Sequence, residues 1–361
     1  MDLLWPCLKH RAHPPNVISR LADIETIKRL LLTLAVGGAG GLAFFLIGLP
    51  AAWLSGPSVT VAAGVLGGIR LAIPNWLRHT AFIVLGASMG SAMTPETLEL
   101  LSRWPASLAG LAICVIAIMG CCSLYLQKVH SYDRDTARLA SVPGALPYVL
   151  ALAAEGRGDP SRVAIIQVFR LAVLLVCMPS ALAYLGTAPA SVRHAAEHPV
   201  VLIEIAALLA GAAVTAYLFT KIKAPAPTLF GPMIAGAVLY ASGILSSGIP
   251  MWLMTPCFLV VGCTVGTNFV GISRSDIAEA FLASLGSLIV GMVIAILCAV
   301  TVAWIVDLPA AQLWLAYSPG GVDVMTVIAL VLGYDTAFVG GHHVARFLGL
   351  GLFLPLWLRR S

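Results

Sequence analysis

The sequence predicts an all-α polytopic membrane protein made of two inverted repeats of five transmembrane helices, each repeat carrying a Pro-Gly re-entrant or broken helix. Three observations carry that reading. First, 60% of the 361 residues are hydrophobic and 10% are charged, against about 25% charged in an ordinary soluble domain. Apolar runs long enough to cross a roughly 30 Å hydrocarbon core recur from Leu30 to Leu358. Second, the chain repeats itself at an offset of 176 residues. Gly86 and Gly90 fall on Gly262 and Gly266, Pro143-Gly144 on Pro319-Gly320, and Asp159, Arg170 and Pro179 on Asp335, Arg346 and Pro355. Third, the lysines and arginines sort to one side of the membrane once the Pro-Gly segments are treated as hairpins.

In chain order, residues 1–29 form a basic tail that lacks the uninterrupted apolar core of a cleavable signal peptide. It is expected in the cytoplasm. The first membrane repeat, 30–185, has spans at 31–50, 57–73, 79–95, 104–126 and 162–184; the second, 199–358, has them at 199–219, 229–246, 251–270, 280–305 and 336–357. Between the fourth and fifth spans lie "SVPGALPYV" and "SPGGVDVMT", too short to cross comfortably and suited to re-entrant half-helices. Treated so, seventeen basic residues face inward and only Arg103 and Arg193 outward; as full crossings the division becomes thirteen to six. The positive-inside rule selects the hairpins. Five spans per repeat then invert the second half relative to the first. Both termini fall in the cytoplasm, across a bacterial inner membrane.

In "GYDTAFVGGHHVARFLGLG", Asp335, His342 and Arg346 project within about 20° of one line on a helix. If Asp335 caps that helix, Arg346 lies about 16 Å deep, near the midplane. Asp159 and Arg170 repeat the arrangement. An intramembrane arginine costs about 2.5–3.5 kcal/mol on insertion scales and marks a functional site by default. Two roles stay open for Arg170 and Arg346: clamps on the carbonyls of the broken segments, or contacts to a solute held with Gly144, Gly320, Gly321, Asp323, His342 and His343. Pro143, Pro319, Asp159 and Asp335 are read as helix caps or gating positions. Asp323 has Pro147 at its equivalent position, and Glu204 is an isolated carboxylate near the start of a span.

No metal or cofactor is expected, because adjacent helical histidines point about 100° apart and the eight cysteines show no CxxC spacing. The small-xxx-small pairs in "LGASMG" and "VGCTVG" suit close helix packing. Ser88, Ser91, Thr264, Thr267 and Asn268 beside them are the alternative, a polar cavity wall.

The paired Pro-Gly elements, and above all Pro319, Gly320, Gly321, Asp335, His342, His343 and Arg346, resemble the bacterial membrane AbrB duplication family. Its members carry the labels AbrB family transcriptional regulator and ammonia monooxygenase. The first half departs from that pattern at Ala145 and at Gln167, which stands where the second half has His343. The acid expected just before Met325 is Val324 here, with Asp323 one place earlier. A soluble regulator would need a basic DNA-binding module, and no such domain is legible, so nucleic acid is not expected as a partner. An oxygenase would need a copper or iron site that these histidines do not supply.

The expectation is therefore not an enzyme. It is a secondary transporter or permease for a small solute, an anion fitting the arginine pair better than ammonium would, working in the lipid bilayer and compatible with a homo-oligomer. The second reading is a membrane sensor that affects gene expression indirectly. The third is an ammonia monooxygenase-like enzyme.

Overall fold

The structure is a computed structural model and describes residues 17–91, 104–184, 201–245 and 248–358. The 1–16 part of the tail, Arg103 and Arg193 lie outside the described residues. Among the described residues there are fourteen helices and no strand. The first half supplies α1 (Val17–Leu46), α2 (Ala52–Leu66), α3 (Asn75–Ser91), α4 (Trp104–His130), α5 (Arg134–Ala140), α6 (Leu146–Ala154) and α7 (Pro160–Tyr184). The second supplies α8 (Leu202–Lys221), α9 (Pro227–Ala241), α10 (Met251–Thr267), α11 (Arg274–Val306), α12 (Ala310–Tyr317), α13 (Val322–Leu332) and α14 (Thr336–Trp357).

Six of these, α1, α4, α7, α8, α11 and α14, are long and apolar enough to cross a membrane. Their outer surfaces fit lipid: Leu297, Trp304 and Leu352 are 62%, 91% and 81% exposed, which water would penalise and a hydrocarbon core accepts.

Local chemistry explains the boundaries. Asp133 caps α5 by accepting from the Thr136 amide at 2.9 Å, and Ser273 caps α11 by accepting from the Asp276 amide at 3.1 Å. Pro147 and Pro227 sit in first turns, where a missing N–H costs nothing. Gly333 ends α13 with φ at 72°, a conformation a side chain would strain. Pro143-Gly144 lies between α5 and α6, and Pro319-Gly320 between α12 and α13. The helices before the breaks, α5 and α12, were not expected as separate elements. Helix α1 also begins fourteen residues before the expected span, and α11 six residues before its own.

The packing pairs the halves. Helices α2 and α10 pack together as α9 and α3 do, α1 meets α10 as α8 meets α3, and α4 meets α14 as α11 meets α7. The equivalent helices α4 and α11 pack directly on each other, as do α3 and α10. Glycine makes the close crossings. A Cβ on Gly86 would strike the Leu229 carbonyl, and one on Gly262 would strike the Leu54 carbonyl; Pro232 and Pro57 each stand 3.1 Å away. The packing reading of the two glycine pairs therefore holds on direct contact. Thr264 and Thr267 turn their hydroxyls back to the Val260 and Thr264 carbonyls of their own helix, and Ser88 lies 3.5 Å from the Met254 sulfur. The two threonine hydroxyls are thus taken up by their own helix.

At one end of the molecule, four segments converge. Arg274 at the start of α11 donates to the Leu66 carbonyl at the end of α2. Arg162 in the first turn of α7 pairs with Glu279 of α11 at 3.2 Å and lies 4.8 Å over the ring of Tyr132, which follows α4.

Candidate functional site

Two guanidinium groups occupy the centre of the site. Arg170 on α7 and Arg346 on α14 are each 4% exposed. Arg170 Nη2 donates to the Val142 carbonyl at 2.9 Å. Arg346 Nη1 donates to the Ser318 carbonyl at 2.7 Å, and its Nη2 to the Gly320 carbonyl at 2.5 Å. Val142 and Ser318 are themselves equivalent under the 176-residue offset and stand just before the Pro-Gly breaks, where a short helix leaves its last carbonyls without an intrahelical donor. The arginines supply those donors.

The same logic extends one turn back. Gln167 Nε2 donates to the Leu139 carbonyl at 3.2 Å, and His343 Nε2 donates to the Leu315 carbonyl at 3.1 Å. Leu139 and Leu315 are again equivalent, so Gln167 does in the first half what His343 does in the second. That bond fixes the His343 proton on Nε2 and leaves Nδ1 buried without a partner among the described residues.

His342 points elsewhere. Its Nδ1 donates to the Phe338 carbonyl at 2.8 Å, and its Nε2 lies 2.8 Å from Ser107 Oγ of α4, a hydroxyl that also reaches the Trp104 carbonyl at 3.1 Å. Phe338 lies against the His342 ring with centroids 4.0 Å apart, Trp104 lies 5.5 Å away, and Tyr317 donates its hydroxyl to the Ser107 carbonyl. The two histidines thus diverge. Ser107 and Tyr317 gave no sequence signal, since a serine or tyrosine in an apolar helix is ordinary.

The two breaks touch. Gly144 has φ at 74°, and a Cβ there would meet Arg346 Nη2 and, at 2.6 Å, the Gly320 carbonyl. Glycine is required on both counts, the left-handed backbone and the approach of an arginine from the other half. Gly320 packs against Met325, and Gly321 provides the N-cap position of α13. Arg170 lies close enough for its charge to act on Arg346. Among the described residues, neither arginine makes an ion pair.

The remaining expected positions lie around this centre. Asp335 Oδ1 accepts from the Phe338 amide at 2.9 Å and so caps α14, while Asp159 Oδ1 accepts from the Ser161 and Arg162 amides at 2.9 and 3.2 Å. Pro143 and Pro319 sit in the breaks themselves. Asp323 is partly buried in the first turn of α13, and Arg78 on α3 is the basic group whose field reaches it. Glu204, in the first turn of α8, has Tyr240 of α9 as its neighbour.

The family model described as "Transition state regulatory protein AbrB" matches residues 58–361. The chain belongs to the AbrB family. The match takes in both Pro-Gly breaks and both arginines. The protein named "Putative regulator AbrB" from Escherichia coli (strain K12) is 27% identical over 337 residues, covering 90% of this chain and 92% of that protein. YhjN of Bacillus subtilis (strain 168) is 26% identical over 373 residues, covering 93% and 94%. The likeness to these two proteins therefore runs nearly end to end.

Proposed function

We propose that this chain is a secondary transporter or permease for a small anionic solute, bound between the two Pro-Gly breaks. The carrying observation is a pair of buried arginines, one from each half, whose charges meet carbonyl oxygens and, among the described residues, no carboxylate. An arginine has five N–H donors, and the hydrogen bonds found occupy one on Arg170 and two on Arg346. Arg170 Nε is buried and unpartnered among the described residues. Carbonyl dipoles orient these cations without neutralising them. An anion would supply the missing charge, and broken helices near a midplane are the usual place for such a solute.

The architecture we infer for this function is the inverted repeat with both termini cytoplasmic. The convergence of Leu66, Tyr132, Arg162 and Arg274 at one end supports it, because all four belong on the cytoplasmic side when the Pro-Gly segments are hairpins. Counting those segments as full crossings would separate Arg162 and Arg274 from Leu66 and Tyr132 by the thickness of the membrane.

The name of the Escherichia coli relative favours a second reading, a membrane sensor that changes gene expression through a partner. Uptake separates the two. In proteoliposomes, a transporter accumulates or exchanges a labelled carboxylate or inorganic anion, and Arg346→Lys lowers that rate at least tenfold because one ammonium cannot reproduce a planar fork. A sensor binds the anion without moving it. Exchange by wild type and Arg346→Lys at equal rates would remove the arginine from the mechanism.

A further inference from the structure

We infer that the cleft between α4 and α14 admits an amphiphilic monocarboxylate sideways from the bilayer, its alkyl tail in the cleft and its head on Arg346. This rests on the anion reading of Arg346 above and names the class of anion. The cleft has a volume of about 280 Å³, nearly twice the ~150 Å³ of a dry apolar cavity that holds a benzene ring. Arg346 is its one charged lining residue, and the other nine are apolar. Leu111, Val115 and Leu350 are buried and form the floor, whereas Ala112, Ile116 and Gly349 on the rim are exposed on the apolar flank of the two helices. The mouth therefore opens toward hydrocarbon. A small hydrophilic anion finds no second polar group along this route; a carboxylate on a short alkyl chain matches it at both ends.

The equivalent surface between α7 and α11 carries bulkier side chains. At the positions related by the 176-residue offset, on α7 and α11, Phe169 stands for Ala345, Val173 for Gly349 and Leu288 for Ala112. Phe169 also packs edge-on against Phe281 at 5.6 Å, filling that side. A Cβ on Gly349 would meet nothing within 4 Å, so a larger side chain there can enter the cleft without disturbing the helix.

Thermal unfolding of the full chain in lipid nanodiscs, with octanoate, acetate and octanol as probes, tests this. Octanoate is expected to raise the melting temperature at concentrations at least tenfold below those acetate needs, and octanol is expected to give no shift. Gly349→Leu should weaken the octanoate response at least tenfold while the acetate response, which needs only the guanidinium, persists. If Gly349→Leu melts poorly, Ala112→Leu on the facing helix reads the same cleft. Equal potency of octanoate and acetate, or an undiminished octanoate response in both filled variants, overturns the cleft proposal and leaves the anion site standing. A shift by octanol equal to that by octanoate overturns it too, since the head would then play no part. Silence of both octanoate and acetate overturns the cleft proposal, and the anion reading falls with it only if bicarbonate, phosphate and sulfate are silent as well.

Discussion

At the scale of single residues, the site is a set of side chains that stand in for missing backbone donors. His343 and Gln167 reach carbonyls 28 positions earlier in the chain, Leu315 and Leu139, as Arg346 and Arg170 reach Ser318 and Val142. His343→Gln should therefore keep stability within about 0.5 kcal/mol, because the first half already uses glutamine for this bond. His343→Leu should cost roughly 1–3 kcal/mol by leaving the Leu315 carbonyl buried and unsatisfied. Thermal melts of the purified variants decide, and equal loss in both would show that ring packing, not the hydrogen bond, matters there. The arginines were legible in the sequence because a cation in an apolar helix stands out against its surroundings. Their partners were not, since a backbone carbonyl leaves no mark in composition, and Gln167 registered only as a departure from the second-half pattern. Nor could the sequence decide between clamp and ligand contact. The arginines clamp, and the donors left over are what a ligand would use.

At the scale of elements, the helices cross where glycine lets backbones touch. Gly262 and Gly86 lie against opposing carbonyls of α2 and α9, while a Cβ on Gly120 of α4 would meet nothing within 4 Å. Gly262→Ala should thus destabilise by about 1–3 kcal/mol through overpacking, and Gly120→Ala should be neutral or slightly stabilising through helix propensity. Melting temperatures of the two variants check the contrast; a neutral Gly262→Ala would remove the close crossing. These glycine pairs were legible from their spacing. The short helix α5 was not, because "RDTARLA" is polar and seven residues long, below the length at which periodicity speaks. The long α1 was missed at its start because the tail's charges hide good helix formers.

At the scale of the whole molecule, the duplication organises everything else. The 176-residue offset relates the breaks, the arginines, the carbonyls they hold and the glycines between helices, and the packing between halves follows the same exchange. A strict antiparallel arrangement puts position 274 on the cytoplasmic side. In a cysteine-depleted background, Arg274→Cys should therefore react with a membrane-impermeant thiol reagent only in inside-out vesicles, and labelling in intact cells would overturn the inverted topology. The composition and the repeat made this level of organisation legible without coordinates, since both are sums over many residues. The meeting of the two breaks was expected from the repeat, but the close approach of Gly144 to Arg346 and the Gly320 carbonyl was not legible, because it depends on how α7 and α14 are brought together by all the other helices.

The central claim is that Arg170 and Arg346 jointly bind an anion. Its most direct test is a thermal-shift titration of wild type, Arg170→Ala and Arg346→Ala with acetate, bicarbonate, phosphate and sulfate, at constant ionic strength. A ligand that binds the folded state raises the melting temperature by mass action, by about 2.7 kcal/mol of stability at a hundred times its Kd. The account predicts that at least one anion stabilises the wild type in a saturable way and that each arginine variant, although still monodisperse, loses most of that response. Retention of the full response in both variants, or stabilisation of the wild type by an amine or a metal ion alone, would contradict it.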